Sequence, residues 1–445
     1  MRRAVDHHLQ AWRVDSQRKP LLIRGARQVG KTYTARALGA TFDELVEVNF
    51  ERTPALGRVF ENDLDPRRMV RDLRLVTRKR VEPGRSLLFL DEIQEAPQAI
   101  RALRYFFEEL PELHVVAAGS LIDFALEATG SPVGRVHSLY MYPLSFVEFL
   151  SATGDEALAR AVGAVRDIRP PAHDLLLERL GTYLAVGGMP EAVASWVSHG
   201  DLPRCRKVLA ALADNYRNDF AKYARRHQIK YVDLLFREAA SMQGRRFVYA
   251  HVPGEHRARE LAPALDLLEK AGVLHRVVQS PGSGCPLRAG ARPDRFKIVF
   301  LDVGLTQALL GLDTAELILD PATAIPQRGA TAEACVGQEL IAYASPWAGR
   351  ELFYWHREAR GSSAEVDYYL FEDGGNVIPV EVKSGGRGRL TSMGLFLEKN
   401  GTVSPHGSRF SRHPFSIVDA LQSWPLYAVA GLFAESASPI AGAGQ

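Results

Sequence analysis

The chain has 445 residues, 46% of them hydrophobic and 24% charged, with a net charge of +3. That length is too great for one core and calls for two or three domains, in the composition of an ordinary globular protein. The small net charge excludes nucleic-acid binding through bulk charge. Three scattered cysteines exclude a disulfide framework or a cysteine-built metal cluster.

The first informative element is the apolar, strand-like run Leu21–Arg24. It leads into Gly25, Ala26, Arg27, Gln28, Val29, Gly30, Lys31 and Thr32, and residues 33–38 continue as a helix. Strand, glycine-bounded loop and helix is an arrangement that cradles a nucleoside triphosphate, because loop N–H groups and the helix N-terminus already favour phosphate. Gly25 and Gly30 let the loop curl round the β-phosphate, Lys31 reaches the β and γ oxygens, and Thr32 holds Mg²⁺. A strand at 45–49 precedes the apolar run 87–90, which suits burial on both faces and ends in Asp91 and Glu92. Two carboxylates at the mouth of a buried strand are costly unless a cation or hydrogen bonds offset them. Downstream of a phosphate loop, Asp91 is expected in the Mg²⁺ shell, with Glu92 orienting and deprotonating the attacking water.

A helix at 102–110 and a strand at His114–Ala118 follow, running into Gly119 and Ser120. Ser120 is a candidate sensor of the γ-phosphate or the lytic water, and equally a helix N-cap. Arg135, a short loop later, is a candidate arginine finger for a neighbouring subunit's phosphate, or an ordinary surface arginine. A fifth strand is expected at 136–141. From 151 to about 225 the pattern is helical, with breaks at Pro170-Pro171 and Gly187-Gly188.

Helices are then expected at 231–244 and 259–271, with Leu261, Leu265 and Leu268 on one face and Gly272 as a stop. Strand-like runs at 276–278 and 296–301 complete helix, helix, hairpin, a winged-helix layout. The candidate recognition helix mixes Arg257, Arg259 and Lys270 with Glu260, Asp266 and Glu269, which favours an internal packing or lid module over a DNA reader. The basic clusters at 78–80, 225–227 and 387–389 read as solvated faces.

Three strands are expected at 353–356, 365–370 and 377–383. Asp367 lies on the second, and Glu381 and Lys383, two apart, project from one face of the third. Asp followed by Glu-x-Lys on an adjacent strand is the constellation of Mg²⁺-dependent nucleases of the restriction-endonuclease fold, with Glu333 as a further candidate for the shell. The same pattern also occurs as a plain ion pair on a solvated face.

Several runs resemble the prokaryotic AAA-type ATPases fused to a C-terminal domain of unknown function. They are Phe89-Leu90-Asp91-Glu92-Ile93-Gln94-Glu95-Ala96-Pro97, Ala118-Gly119-Ser120-Leu121, Tyr140-Met141-Tyr142-Pro143-Leu144-Ser145-Phe146, and Pro132-Val133-Gly134-Arg135. Gly187-Gly188-Met189-Pro190-Glu191, Asn215-Tyr216-Arg217-Asn218-Asp219, Phe300-Leu301-Asp302-Val303-Gly304-Leu305 and Glu381-Val382-Lys383-Ser384 extend the resemblance over nearly the whole chain. It implies an α/β protein: a P-loop parallel-sheet ATPase core, a helical and winged-helix-like middle, and an α/β nuclease-like C-terminal domain. The expected boundaries are 1–150, 151–228, 229–310 and 311–433, with a disordered tail at 434–445.

The expected ligands are ATP and Mg²⁺, ATP being favoured over GTP because no guanine-reading Asn-Lys-x-Asp motif is found. One reading is an ATPase whose cycle drives or gates a C-terminal effector. Another is a nucleotide-gated switch that docks DNA or protein, and a third is an ATP-regulated nuclease. A homo-oligomer is a candidate state. With no secretory signal and no apolar run long enough to span a membrane, the expected compartment is the cytoplasm.

Overall fold

The computed structural model describes residues 1–130, 134–224, 227–349, 351–356, 368–385 and 391–434. The chain forms two compact units. The first comprises Met1–Pro143 with Lys270–Gly272 and Ser345–Gly349. Its sheet has five strands, β1 (Leu21–Arg24), β2 (Glu44–Asn49), β3 (Ser86–Asp91), β4 (His114–Ala118) and β5 (His137–Tyr140), in the order β2-β3-β4-β1-β5. Every pairing is parallel. Parallel strands joined by crossover helices are covered on both faces, so they need apolar residues at successive rather than alternate positions. β3 and β4 are accordingly buried along their whole length.

The helices of this unit are α1 (Val5–Val14), α2 (Lys31–Gly39), α3 (Pro66–Thr77), α4 (Pro97–Glu109) and α5 (Ile122–Thr129). Pro66 and Pro97 occupy first turns, where a missing N–H costs nothing, and Asp65 caps α3 by accepting from Arg67 N at 2.8 Å. α4 begins five residues before the expected helix because Pro97 supplies that start. Its Ala99, Ile100, Leu103 and Phe106 recur at helical spacing and face the core under the sheet.

The second unit comprises Leu144–Glu269, Val273–Ala344 and Arg350–Gln445. It opens with five helices, α6 (Phe146–Ala152), α7 (Glu156–Gly163), α8 (Pro170–Val186), α9 (Pro190–His199) and α10 (Leu202–Tyr223). α11 (Ile229–Ser241), α12 (Ala258–Lys270) and the antiparallel pair β6 (Leu274–Gln279) and β7 (Arg292–Phe300) follow. Next come α13 (Val303–Leu309), α14 (Ala315–Leu319), α15 (Pro321–Gln327) and α16 (Gly329–Ala342). The remainder is β8 (Leu352–Tyr354), β9 (Tyr368–Asp373), β10 (Asn376–Lys383), α17 (Thr391–Asn400), β11 (Gly407–Ser411), β12 (Ser416–Val418), β13 (Leu421–Pro425) and α18 (Gly431–Ala434).

Helix, helix, hairpin is present, but the hairpin is not a free wing. β6 pairs in parallel with β8, and the whole sheet runs β12-β13-β11-β10-β9-β8-β6-β7. The segments 229–310 and 311–433, expected as separate modules, therefore contribute strands to one sheet. Its two faces carry different helices. Leu370, Val377, Phe353 and Trp355 pack with Met393 and Phe396 of α17. Tyr369, which alternates with Leu370, points the other way, and its hydroxyl donates to the carbonyl of Glu333 on α16 at 3.2 Å.

Segments that the phosphate loop does not use meet in a buried polar cluster of this unit. Leu144 N donates to Gly188 O at 2.7 Å, and Gly188 N donates to Asp302 Oδ2 at 2.6 Å. Phe146 N donates to both carboxyl oxygens of Glu339, at 3.0 and 3.1 Å. The Tyr183 hydroxyl lies 2.8 Å from Leu144 O and 2.9 Å from Glu339 Oε1. One hydroxyl proton cannot serve both acceptors, so a protonated Glu339 donating to Tyr183 satisfies the geometry. Burial pushes the Glu339 carboxyl up to about 7 and that of Asp302 up to about 6, against the donors that favour their charge.

Candidate active site

β1 ends at Arg24, and the chain turns sharply through Gly25 at φ +139°. A Cβ there would stand 2.1 Å from the carbonyl oxygen of Met141, so only glycine fits both the dihedral and the space. Ala26, Arg27, Gln28 and Val29 carry the loop round to Gly30, which caps α2 at φ 100°. Arg3 steadies the loop by donating to Val29 O at 2.8 Å and to Tyr142 O at 2.7 Å. Arg27 lies 3.9 Å from Glu51. The opening N–H groups of α2 have no intrahelical acceptors and form the anion-favouring end of the loop.

Lys31 is buried, and its ammonium donates to Gly25 O at 2.9 Å and Ala26 O at 2.7 Å. Burial lowers its pKa to about 8, with Glu92 and Asp91 pulling the other way. Thr32 Oγ1 donates to Asp91, 3.2 Å from Oδ1, and Asn49 Nδ2 donates to Asp91 Oδ2 at 2.9 Å. Burial, then the neighbouring Glu92, raise the Asp91 carboxyl above its ordinary range, with the donors Asn49 and Thr32 opposing. A hydroxyl and a carboxylate side by side at the mouth of a phosphate loop are the hard oxygen donors that suit Mg²⁺, which keeps several of its waters and takes few protein ligands. The residues fit the ion.

Glu92 follows with φ 50° and ψ 47°, a left-handed backbone that a residue with a side chain adopts only at a cost of about 1–2 kcal/mol. Gln94 Nε2 donates to its Oε2 at 2.7 Å. Ser120, two residues past β4, does not cap α5: the capping position is Leu121, with no side-chain bond. Its hydroxyl is buried and makes no hydrogen bond among the described residues. The parallel register sets Asp91 beside Ala118, so the exits of β3 and β4 are neighbours. Sequence reasoning missed Asn49 and Gln94. A polar residue ending the strand beside β3, and an amide two residues beyond Glu92, were the available signals.

Arg135 is not brought to this site. It precedes β5, whose His137 pairs with Leu21 at the start of β1, so it stands at the edge of the sheet away from the loop. There its Nε donates to Glu108 at 2.8 Å.

Residues 17–150 match the family model of an AAA domain. Two further segments match domains of unknown function, DUF8612 over 177–316 and DUF4143 over 328–426. The parallel five-stranded sheet with its phosphate loop at the end of β1 is the fold of a P-loop ATPase core. Among curated proteins no relative matches. A Walker-type ATPase of Pyrococcus abyssi is 16% identical, with a TM-score of 0.44, over 69% of this chain and 95% of its own. The ORC1 protein of Aeropyrum pernix in complex with DNA is 17% identical, with a TM-score of 0.29, over 70% and 93%. The ORC2 protein of the same organism is 12% identical, with a TM-score of 0.36, over 72% and 93%. Likenesses this distant say nothing of substrate or partner.

Beyond the AAA domain, Lys383 Nζ lies 3.0 Å from Glu381 Oε1, with Glu381 buried. Asp367 lies outside the described residues. By strand alternation Glu381 shares the face of Val377, on which α17 packs, whereas Glu333 belongs to α16 on the other face and lies 3.6 Å from Lys297. Glu333 and Glu381 are thus not brought into one shell. Among the described residues, no group of three His, Cys, Asp or Glu side chains could hold a metal ion. No described helix is long and apolar enough to cross a membrane.

Proposed function

We propose that the AAA domain binds ATP with Mg²⁺ and hydrolyses it, and that this cycle drives or gates the second unit as an effector. The observation that carries the reading is the convergence of Lys31, Thr32, Asp91 and Glu92 past the ends of β1 and β3, the two strands that flank β4. The loop amides and α2 hold the phosphates. Lys31 exchanges its loop carbonyls for β and γ oxygens, whose negative charge favours the ammonium against the effect of burial. Thr32 and Asp91 would hold Mg²⁺, which when bound neutralises charge on the phosphates. Glu92 takes the proton of the attacking water, and Ser120 offers its unused hydroxyl to the γ-phosphate or to that water.

Arg135 has no access to its own loop, so a role as arginine finger belongs to a homo-oligomer, acting in trans once it leaves Glu108. The buried thiols Cys205 and Cys335 and the exposed Cys285 suit a reducing cytoplasm. Glu92→Gln tests the assignment: nucleotide binding persists and turnover falls by about 100-fold or more. Normal turnover in that variant would remove the base.

The pairing of buried Glu381 with Lys383 favours one second reading, an ATP-regulated, Mg²⁺-dependent nuclease. Lys383→Ala should then abolish Mg²⁺-dependent cleavage of plasmid and single-stranded DNA. An unchanged rate, or no cleavage by the wild type, leaves the second unit as a docking module for DNA or protein.

A further inference from the structure

We propose that Gln94 is a positioning residue for the catalytic base, holding Glu92 by one end of its amide while the other end is wedged against Gly119. The proposal rests on Glu92 being the base. Gln94 stands in the short turn Ile93–Glu95 that follows β3, and its Nε2 donates to Glu92 Oε2 at 2.7 Å. The reverse orientation would set a carbonyl against a carboxylate, so chemistry decides which amide atom faces Glu92. The bond fixes one carboxylate oxygen and leaves Oε1 to take a proton.

At its other end, Gln94 Oε1 is buried and accepts no hydrogen bond among the described residues. Buried acceptors without a partner are uncommon in native proteins. Ser120 Oγ, a buried donor, is in the same condition at the exit of β4. The amide is seated there by a close approach: a Cβ on Gly119 would stand 2.1 Å from Gln94 Oε1. Only a residue without a side chain at 119 lets the carbonyl lie against that exit, beside the end of β3. The left-handed backbone of Glu92 turns its side chain into the same corner.

In the reaction the water gives one proton to Glu92 Oε1, which the bond from Gln94 keeps turned towards it. Its oxygen, so oriented, attacks the γ-phosphorus. The bond from phosphorus to the β–γ bridging oxygen breaks, and the electron pair leaves on ADP. The proton rests on Glu92 and returns to solvent with phosphate release.

The test is steady-state ATP hydrolysis and nucleotide affinity of the full chain as wild type, Gln94→Leu, Gly119→Ala, the double variant and Glu92→Gln. Gln94→Leu keeps the side-chain volume, and Gly119→Ala displaces the amide without touching Glu92. Each should lower kcat by about 10- to 100-fold, with KM and affinity within about twofold of wild type. The double variant should be no slower than Gln94→Leu alone, because both changes remove one interaction. Wild-type kcat in Gln94→Leu, a change confined to KM, or additive losses would overturn the proposal. An inactive Glu92→Gln beside an unimpaired Gln94→Leu defeats the role of Gln94 alone. A fully active Glu92→Gln defeats the base and Gln94 with it.

Discussion

Lys31 is held between burial, which favours its neutral form, and two carboxylates, which favour its charge. With its pKa brought down to about 8, the ammonium loses its proton as pH rises through that value, and the attraction for phosphate goes with it. ATP affinity should weaken as pH rises from about 7 to about 9, by several-fold at least, and Lys31→Arg should flatten that dependence because guanidinium stays charged. Parallel slopes for the two proteins would contradict the assignment. Gly25→Ala should abolish nucleotide binding, since its Cβ collides with the backbone of Met141 at a positive φ; retained affinity by calorimetry would sink that view. The phosphate loop and the two acids were legible in the sequence, because the spacing of glycines, lysine and hydroxyl is itself the geometry that phosphate needs. Asn49 and Gln94 were not, because their part depends on which strand lies beside β3 and on which residue at 119 has no side chain.

At the scale of elements, strands buried on both faces announced themselves as unbroken apolar runs, and β1 to β5 fall within two residues of the expected ends. The partners of a strand are less visible. β6 pairs with β8, more than seventy residues later in the chain, and local pattern carries no sign of so distant a neighbour. The expected wing proved to be a sheet edge for that reason; β12 and β13 were missed because their runs mix polar and apolar residues on a partly exposed edge, and β11 because its buried run is mostly polar, with Ser408, Arg409 and Ser411. The close contact of α16 with its sheet is equally a tertiary property. A Cβ on Gly337 would stand 2.8 Å from the Tyr369 hydroxyl and 2.9 Å from Val299 Cγ2. Gly337→Ala should therefore destabilise the second unit by about 1–3 kcal/mol in thermal or urea unfolding. An unchanged transition would show that the helix can move off without penalty.

For the whole molecule, the two units hold their buried charge differently. The first keeps its acids beside a lysine, a hydroxyl and an amide at the phosphate loop. The second encloses Glu339 and Asp302 among N–H and O–H donors, with the carboxylate of Glu148 adding repulsion. A carboxyl whose pKa is higher folded than unfolded binds more protons in the folded state, so stability is full below the unfolded value and falls as pH rises. For Glu339 the window runs from 4.5 to about 7. Denaturant unfolding should show the second unit losing on the order of 3 kcal/mol across that window, with Glu339→Gln removing most of the slope. Equal slopes in both proteins would refute the buried proton.

If residues 25–32 with Asp91 and Glu92 make a working ATP site, Mg²⁺-dependent ATP hydrolysis by the full chain, wild type against Lys31→Ala, shows it at once. The expected result is turnover by the wild type that needs Mg²⁺ and disappears with the lysine. Turnover indifferent to Lys31, or none by the wild type under any Mg²⁺ concentration, would contradict it.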